Sequence, residues 1–264
     1  MHMKVLRLLV IVAFTFSLGG CAAPLDRTYT VPKNARPLTI AAAADLQFAF
    51  QEIAERFEEQ TGERVVFSFG STGNLAKQIE QGAPVDLFAA ANVQFVQDLQ
   101  DKGLIVPGTQ QLYAVGRIVL VSSRAGGVEV AGLTGLLDAR VSKVAIANPN
   151  HAPYGMAAKQ ALVAAGLWDQ IQPKLVYGEN VRQALQFVQT GNAEAGIVAL
   201  SVANVPEVTF SLIDESLHEP LEQAMAVIRG TPREQAASDF IKFVNGPEGR
   251  KIMRKYGFVL PGEV

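Results

Sequence analysis

The sequence predicts an α/β protein of two lobes, each lobe a mainly parallel sheet flanked by helices, with a ligand cleft between them. Short apolar runs fit for buried strands alternate with amphipathic helical stretches over short connections. The alternation starts afresh after Gly116. A last strand-like run, Ala224-Met-Ala-Val-Ile228, comes late enough to rejoin the first unit. Lobe 1 is therefore expected at 37–115 and 222–264, and lobe 2 at 116–221.

Residues 38–44 form a continuous apolar run suited to a strand buried on both faces. Asp45 then opens a helix with Leu46, Phe50, Ile53 and Phe57 on one stripe, stopped by Gly62. Residues 64–69 read as the next strand, 74–81 as a helix ending at Gly82, and 85–90 as a third strand. Asn92 caps a helix that turns Phe95, Val96 and Leu99 inward and closes at Gly103. In the second unit 117–122 and 144–147 are strands, and a helix runs from Tyr154 to Ala165 with Gly166 past its end. A strand at 174–177 leads to Asn180, which with Gln183 has capping-box spacing and starts a helix reaching Thr190. Residues 196–200 are a strand, and helices at 232–245 and 247–256 follow the final strand.

The first 20 residues read as a lipoprotein signal peptide. Lys4 and Arg7 precede an apolar run from Leu8 to Leu18 that is too short to span a bilayer comfortably. It ends in Leu18-Gly19-Gly20-Cys21, which resembles the bacterial lipoprotein box. Cys21 is the only cysteine, so it forms no internal disulfide, and it stands where a lipid anchor would be attached. Residues 21–36 lack periodicity, carry Pro24 and Pro32, and read as a tether. The ~230 residues that follow are enough for one large or two small cores. The formal net charge is −2 and there is no basic tract, which argues against nucleic acid.

Catalytic patterns are absent from the sequence. It holds no nucleophile elbow, Walker loop, dinucleotide fingerprint or zinc-protease helix. His151 and His218 lie far apart with no ligand spacing around either. Asp86 reads as a satisfied structural carboxylate at a strand end, or else as a catalytic group; Trp168 and Tyr177 read as core or rim. The chemistry sits instead at four strand-to-helix junctions: Ala44-Asp45, Ser71-Thr72-Gly73, Pro153-Tyr154-Gly155 and Asn180-Val181. Free backbone N–H groups at helix starts, with hydroxyls beside them, suit a small oxyanion stripped of its water. The plainer alternative is that each of these polar residues is only a helix cap.

The junctions sit within several motifs: Gln78-Ile-Glu-Gln-Gly-Ala-Pro-Val-Asp-Leu-Phe88, Asn148-Pro-Asn-His-Ala-Pro-Tyr-Gly155, Glu179-Asn-Val-Arg-Gln-Ala-Leu185, Gly196-Ile-Val198, and Gly246-Pro followed by Tyr256-Gly-Phe258. In this order they resemble the molybdate-binding proteins of bacterial ABC importers, over essentially Leu38 to Phe258. The resemblance implies a two-lobed periplasmic-binding-protein fold of type II and no enzymatic activity. It implies an extracytoplasmic, membrane-anchored monomer that delivers molybdate or tungstate to an ABC permease. No cofactor and no direct metal ligand are expected. Hydrogen bonds alone would hold the oxyanion, at Asp45, Ser71, Thr72, Tyr154, Val181 and Ala199. Thr72 offers a hydroxyl and an N–H, whereas Tyr154 and Val181 need only their N–H groups.

Two positions depart from the family pattern. Ala44-Asp45 stands where a serine is common, and Ala199 where many members have a tyrosine. Three roles are open to Asp45: it caps its own helix and turns its carboxylate away, it accepts a proton from a protonated oxyanion such as hydrogen phosphate, or it pairs with Arg182 as a closing latch. A receptor for phosphate, sulfate or a small carboxylate, a sensor, and an enzyme on the same scaffold are the alternative functions.

Overall fold

The computed structural model describes residues 36–125 and 127–263. The expected signal peptide, Cys21 and all of the tether except Arg36 lie outside the described residues. In chain order the strands are β1 (Leu38–Ala43), β2 (Val65–Gly70), β3 (Leu87–Ala90), β4 (Gln111–Gly116), β5 (Ile118–Ser123), β6 (Val144–Ala147), β7 (Leu175–Gly178), β8 (Ala195–Ala199), β9 (Val208–Leu212) and β10 (Leu221–Val227). The helices are α1 (Gln47–Thr61), α2 (Thr72–Glu80), α3 (Val93–Asp101), α4 (Pro153–Ala164), α5 (Trp168–Ile171), α6 (Val181–Gln189), α7 (Leu200–Ala203), α8 (Glu234–Asn245) and α9 (Pro247–Lys255).

Two five-stranded sheets result, ordered β2-β1-β3-β10-β4 and β7-β6-β8-β5-β9. In the first, β1 to β4 share a direction and β10 runs against them; in the second, β6 to β9 share a direction and β5 is reversed. The fold is the expected two-lobed α/β architecture, mainly parallel with one antiparallel strand in each sheet. The chain passes from the first sheet to the second between β4 and β5, and returns between β9 and β10. An ion pair from Arg117 to Glu215, 2.6 Å apart, ties the two crossings together.

Local sequence accounts for most of the elements. Leu38, Ile40 and the following alanines leave β1 buried on both faces inside its sheet, between β2 and β3. The α1 helix turns Phe50, Ile53 and Phe57 inward and stops at Gly62, whose φ of 73° closes the last turn through its N–H to Glu58. Asn92 caps α3 by accepting from the Gln94 N–H at 2.8 Å. Asn180 caps α6 by accepting from the Arg182 and Gln183 N–H groups. The return half of the capping box is displaced by one residue: Gln183 Oε1 accepts from the Glu179 N–H at 2.6 Å.

Two boundaries that bear on the site differ from expectation, and two edge strands were not expected at all. Asp45 lies inside a 3-10 turn, Ala44–Leu46, and α1 begins after it. The α2 helix starts at Thr72, two residues earlier than its composition suggests, because Ser71 takes the extended conformation of the cap position. The edge strands β4 and β9 expose Leu112, Phe210 and Leu212, and so lack a readable in–out alternation.

In the first lobe, Phe240 of α8 meets Phe50 and Phe57 of α1 edge-on, with centroids 5.7 and 5.3 Å apart. Phe240 is fully buried. Replacing it with alanine is expected to cost about 3–5 kcal/mol of unfolding free energy. Denaturant titration by circular dichroism measures the loss.

Candidate functional site

At the carboxyl ends of β1, β2, β6 and β7 short connections lead into helical structure. The four turns meet around one narrow cavity. Asp45, Ser71, Thr72, Tyr154 and Val181 all line it, so five of the expected contact positions are brought together from both lobes. Ala199 is not in the lining; it ends β8, pairs with Ile118 of β5 and is fully buried.

Thr72 and Val181 are the first residues of α2 and α6, and Tyr154 is the second of α4. N–H groups in a first helical turn have no acceptor within their own helix. Among the described residues the N–H groups of Thr72, Tyr154 and Val181 also find no acceptor elsewhere. The Thr72 hydroxyl accepts from the Ala91 N–H at 3.1 Å, which leaves its own proton to donate. Three helix N-termini add partial positive charge to the same space. Among the described residues no cluster of His, Cys, Asp or Glu is placed to hold a metal ion.

Ser71 also lines the cavity, but its hydroxyl is committed to contacts between the lobes. Its oxygen lies 2.8 Å from His151 Nδ1, and it donates to Glu179 Oε1 at 3.1 Å. Asn74 Nδ2 donates to the same Glu179 oxygen at 2.9 Å, and the Gly73 N–H donates to the His151 carbonyl at 2.9 Å. Burial works to raise the Glu179 carboxyl, but hydrogen bonds from Asn74, Asn180 and Ser71 outweigh it and hold the group below its ordinary value. The Ser71–His151–Glu179 cluster is not a nucleophile relay, in which the carboxylate orients the histidine; here the carboxylate binds the serine itself.

Asp45 occupies the deepest polar position. Its Oδ2 accepts from the Tyr154 hydroxyl at 3.0 Å, across the lobes, and from Gln223 Nε2 at 2.8 Å. Gln223 is held in turn by the Tyr113 hydroxyl, which donates to its Oε1 at 2.8 Å. Ser201 of α7 donates to the Asp45 carbonyl at 2.8 Å. Asp45 Oδ1 is buried and has no partner among the described residues. Burial pushes the Asp45 carboxyl up to about 6, against the lowering effect of Gln223, Tyr154 and its own N–H. Burial, and then the neighbouring Asp45 charge, drive the Tyr154 and Tyr113 hydroxyls well above their ordinary values. Gly116 makes room for this network, since a Cβ there would lie 2.2 Å from the Tyr154 hydroxyl.

Two of the three roles open to Asp45 are thereby corrected. It caps no helix, because it sits within the 3-10 turn and its side chain makes no cap bond. It forms no latch with Arg182, whose Nε donates to Gln47 at 3.2 Å and whose guanidinium lies 4.8 Å from the Phe48 ring centroid. Desolvation lowers the Arg182 pKa, against the raising effect of the Glu207 charge. Asp86 is a satisfied structural carboxylate: it accepts from the Thr39 N–H, Arg36 and Thr231.

Residues 38–259 match the family of bacterial extracellular solute-binding proteins. The chain belongs to that family. This solute-binding protein is 35% identical to the molybdate-binding protein ModA of Rhodobacter capsulatus, covering 93% of this chain and 97% of that protein. It is 32% identical to a putative ABC transporter substrate-binding lipoprotein, YvgL, of Bacillus subtilis, covering 91% and 92%. It superposes on the periplasmic molybdate-binding protein of Azotobacter vinelandii with a TM-score of 0.80 and 32% identity, over 85% of this chain and 99% of that one.

Sequence reasoning missed Gln223, Tyr113 and Glu179 as members of the site, and found no ligand spacing around His151. A signal existed for Gln223: strand alternation puts it on the inward face with Leu221, where a polar residue needs a partner. Nothing local marks Tyr113 or Glu179, since each is defined by a partner more than a hundred residues away.

The raised Asp45 carboxyl gives a stability prediction with a definite sign. A group whose pKa is higher folded than unfolded contributes fully below its unfolded value, and that contribution is lost as pH rises through the folded value. The rise from 3.8 to about 6 corresponds to up to about 3 kcal/mol lost above that range. Asp45→Asn keeps an oxygen for Tyr154 and Gln223 but carries no charge. The variant is expected to be more stable than the parent at about pH 7.5, with the advantage gone near pH 4. Urea unfolding of the unliganded proteins at both pH values measures it.

Proposed function

We propose that this chain captures molybdate or tungstate between its lobes and delivers it to the permease of an ABC importer. One observation carries the reading: unclaimed N–H groups at three helix starts, drawn from both lobes, converge on one cavity. Only the closed arrangement offers an anion donors from both sides, so binding would favour closure. The relatives named for molybdate support this choice of anion. Discrimination from sulfate, another tetrahedral dianion, would rest on the size of the cavity. The lobes would hinge at the two chain crossings, with 37–115 and 222–264 moving against 116–221.

The site acts by binding alone. The serine, histidine and glutamate beside the cavity lack the arrangement of a nucleophile relay, and the cavity's free donors serve to hold an anion. We further propose an extracytoplasmic protein, monomeric and held to a membrane through a lipid on Cys21. Its likeness to a relative named as a lipoprotein supports the anchor. Mass spectrometry of the membrane-extracted protein tests it.

Calorimetry with molybdate, tungstate, sulfate and phosphate in parallel tests the ligand. Heat from molybdate and tungstate is expected, with none from sulfate or phosphate at the same concentration. Silence from the first two, with binding of another anion, would contradict the assignment. Thr72→Val removes a hydroxyl donor to a charged ligand, and is expected to weaken binding by about 1.5–3 kcal/mol, tenfold or more in Kd.

A further inference from the structure

Asp45 presents an anion cavity with a problem that its neighbours do not solve. Oδ2 is saturated by Tyr154 and Gln223, whereas Oδ1 is buried, without a partner among the described residues, and part of a residue that lines the cavity. The elements around it supply no countercharge. Tyr154 approaches from α4, Tyr113 from β4 through Gln223 of β10, and Ser201 from α7 onto the main-chain carbonyl. On α6 the Arg182 guanidinium is directed to Gln47 and Phe48 of α1, and the α1 carboxylate Glu52 is held by Lys255 and Tyr256. Across the cavity mouth Glu179 is another acid, and His151 Nδ1 is held by Ser71. No cation among the described residues bonds to Asp45.

A bare acceptor facing an anion's oxygen is repulsive, whereas a proton between the two makes a hydrogen bond of it. We propose that the cavity takes up its oxyanion together with one proton, which is held between Asp45 Oδ1 and an oxygen of the anion. The proton comes from solvent. No bond within the anion is broken, and the complex carries one negative charge fewer than its separate parts. The proposal rests on the anion-capture reading above and adds a condition to it: affinity is tied to pH through this one carboxyl. The carboxyl's position near pH 6 when unliganded leaves it ionised at neutral pH, so the proton must be acquired on binding.

Calorimetry with sodium molybdate at about pH 8, repeated in buffers of different ionisation enthalpy, counts the protons. About one proton taken up per anion is expected, with Kd rising close to tenfold per unit between about pH 6.5 and 8.5. Asp45→Asn presents an N–H to the anion and an oxygen to Tyr154 and Gln223. It is expected to take up no proton, to keep a level Kd across that range, and to bind at least tenfold tighter than the parent at about pH 8. Molybdate binding without proton uptake by the parent would overturn the proposal while leaving the capture reading intact. The same pH slope in Asp45→Asn would overturn the assignment to Asp45. No heat from molybdate at any pH would overturn the capture reading and this inference with it.

Discussion

Asp45 Oδ2 receives one hydrogen bond from Tyr154 in the opposite lobe and another from Gln223 in its own, at a point sealed from water. Gln223 is fixed by Tyr113, and Gly116 at the lobe crossing is bare of a side chain so that Tyr154 and Gln223 can approach. This buried bridge links the two sheets next to the cavity, and the positions of the α4 start and the β1 end follow from it. It is built from neutral donors around one carboxyl, so its strength depends on that carboxyl's protonation. In a medium of dielectric about 20, an ionised Asp45 opposes each unit of anionic charge at about 4 Å by about 4 kcal/mol. A penalty of that size is comparable to several of the hydrogen bonds the helix starts can offer.

Around the bridge, bonds between the lobes divide by what they leave open. Ser71, Asn74, Glu179, His151 and the Gly73 N–H satisfy one another across the mouth. The N–H groups of Thr72, Tyr154 and Val181 are left for a ligand. The contacts around the mouth therefore hold the lobes together, and the free donors at the helix starts face the cavity. Rigid donors at helix starts lose little freedom on binding, which suits selection by size among tetrahedral anions.

Much of what depends on neighbours in sequence was legible before the structure. The apolar run of β1, the stripe of α1, and the Asn92 and Asn180 caps all act within a few residues, and the junctions at Asp45, Ser71, Thr72, Tyr154 and Val181 were visible as helix starts. The edge strands β4 and β9 were not, because exposed Leu112, Phe210 and Leu212 blur the alternation that marks a half-buried strand. The site's organisation was hidden for a different reason. Asp45 meets Tyr154 and Gln223 across separations of 109 and 178 residues, and no local pattern encodes such a pairing. A preferred cap residue at a helix start pointed to capping; tertiary partners overrode that local preference. The Ser71 hydroxyl was likewise diverted, to Glu179 and His151.

The site's function turns on where the anion lies. A crystal structure of the protein with molybdate tests this most directly. Oxyanion oxygens are expected within about 2.7–3.2 Å of the backbone nitrogens of Thr72, Tyr154 and Val181, with one oxygen at hydrogen-bonding distance from Asp45 Oδ1. An anion held elsewhere on the molecule, with those nitrogens still unclaimed, would contradict that placement.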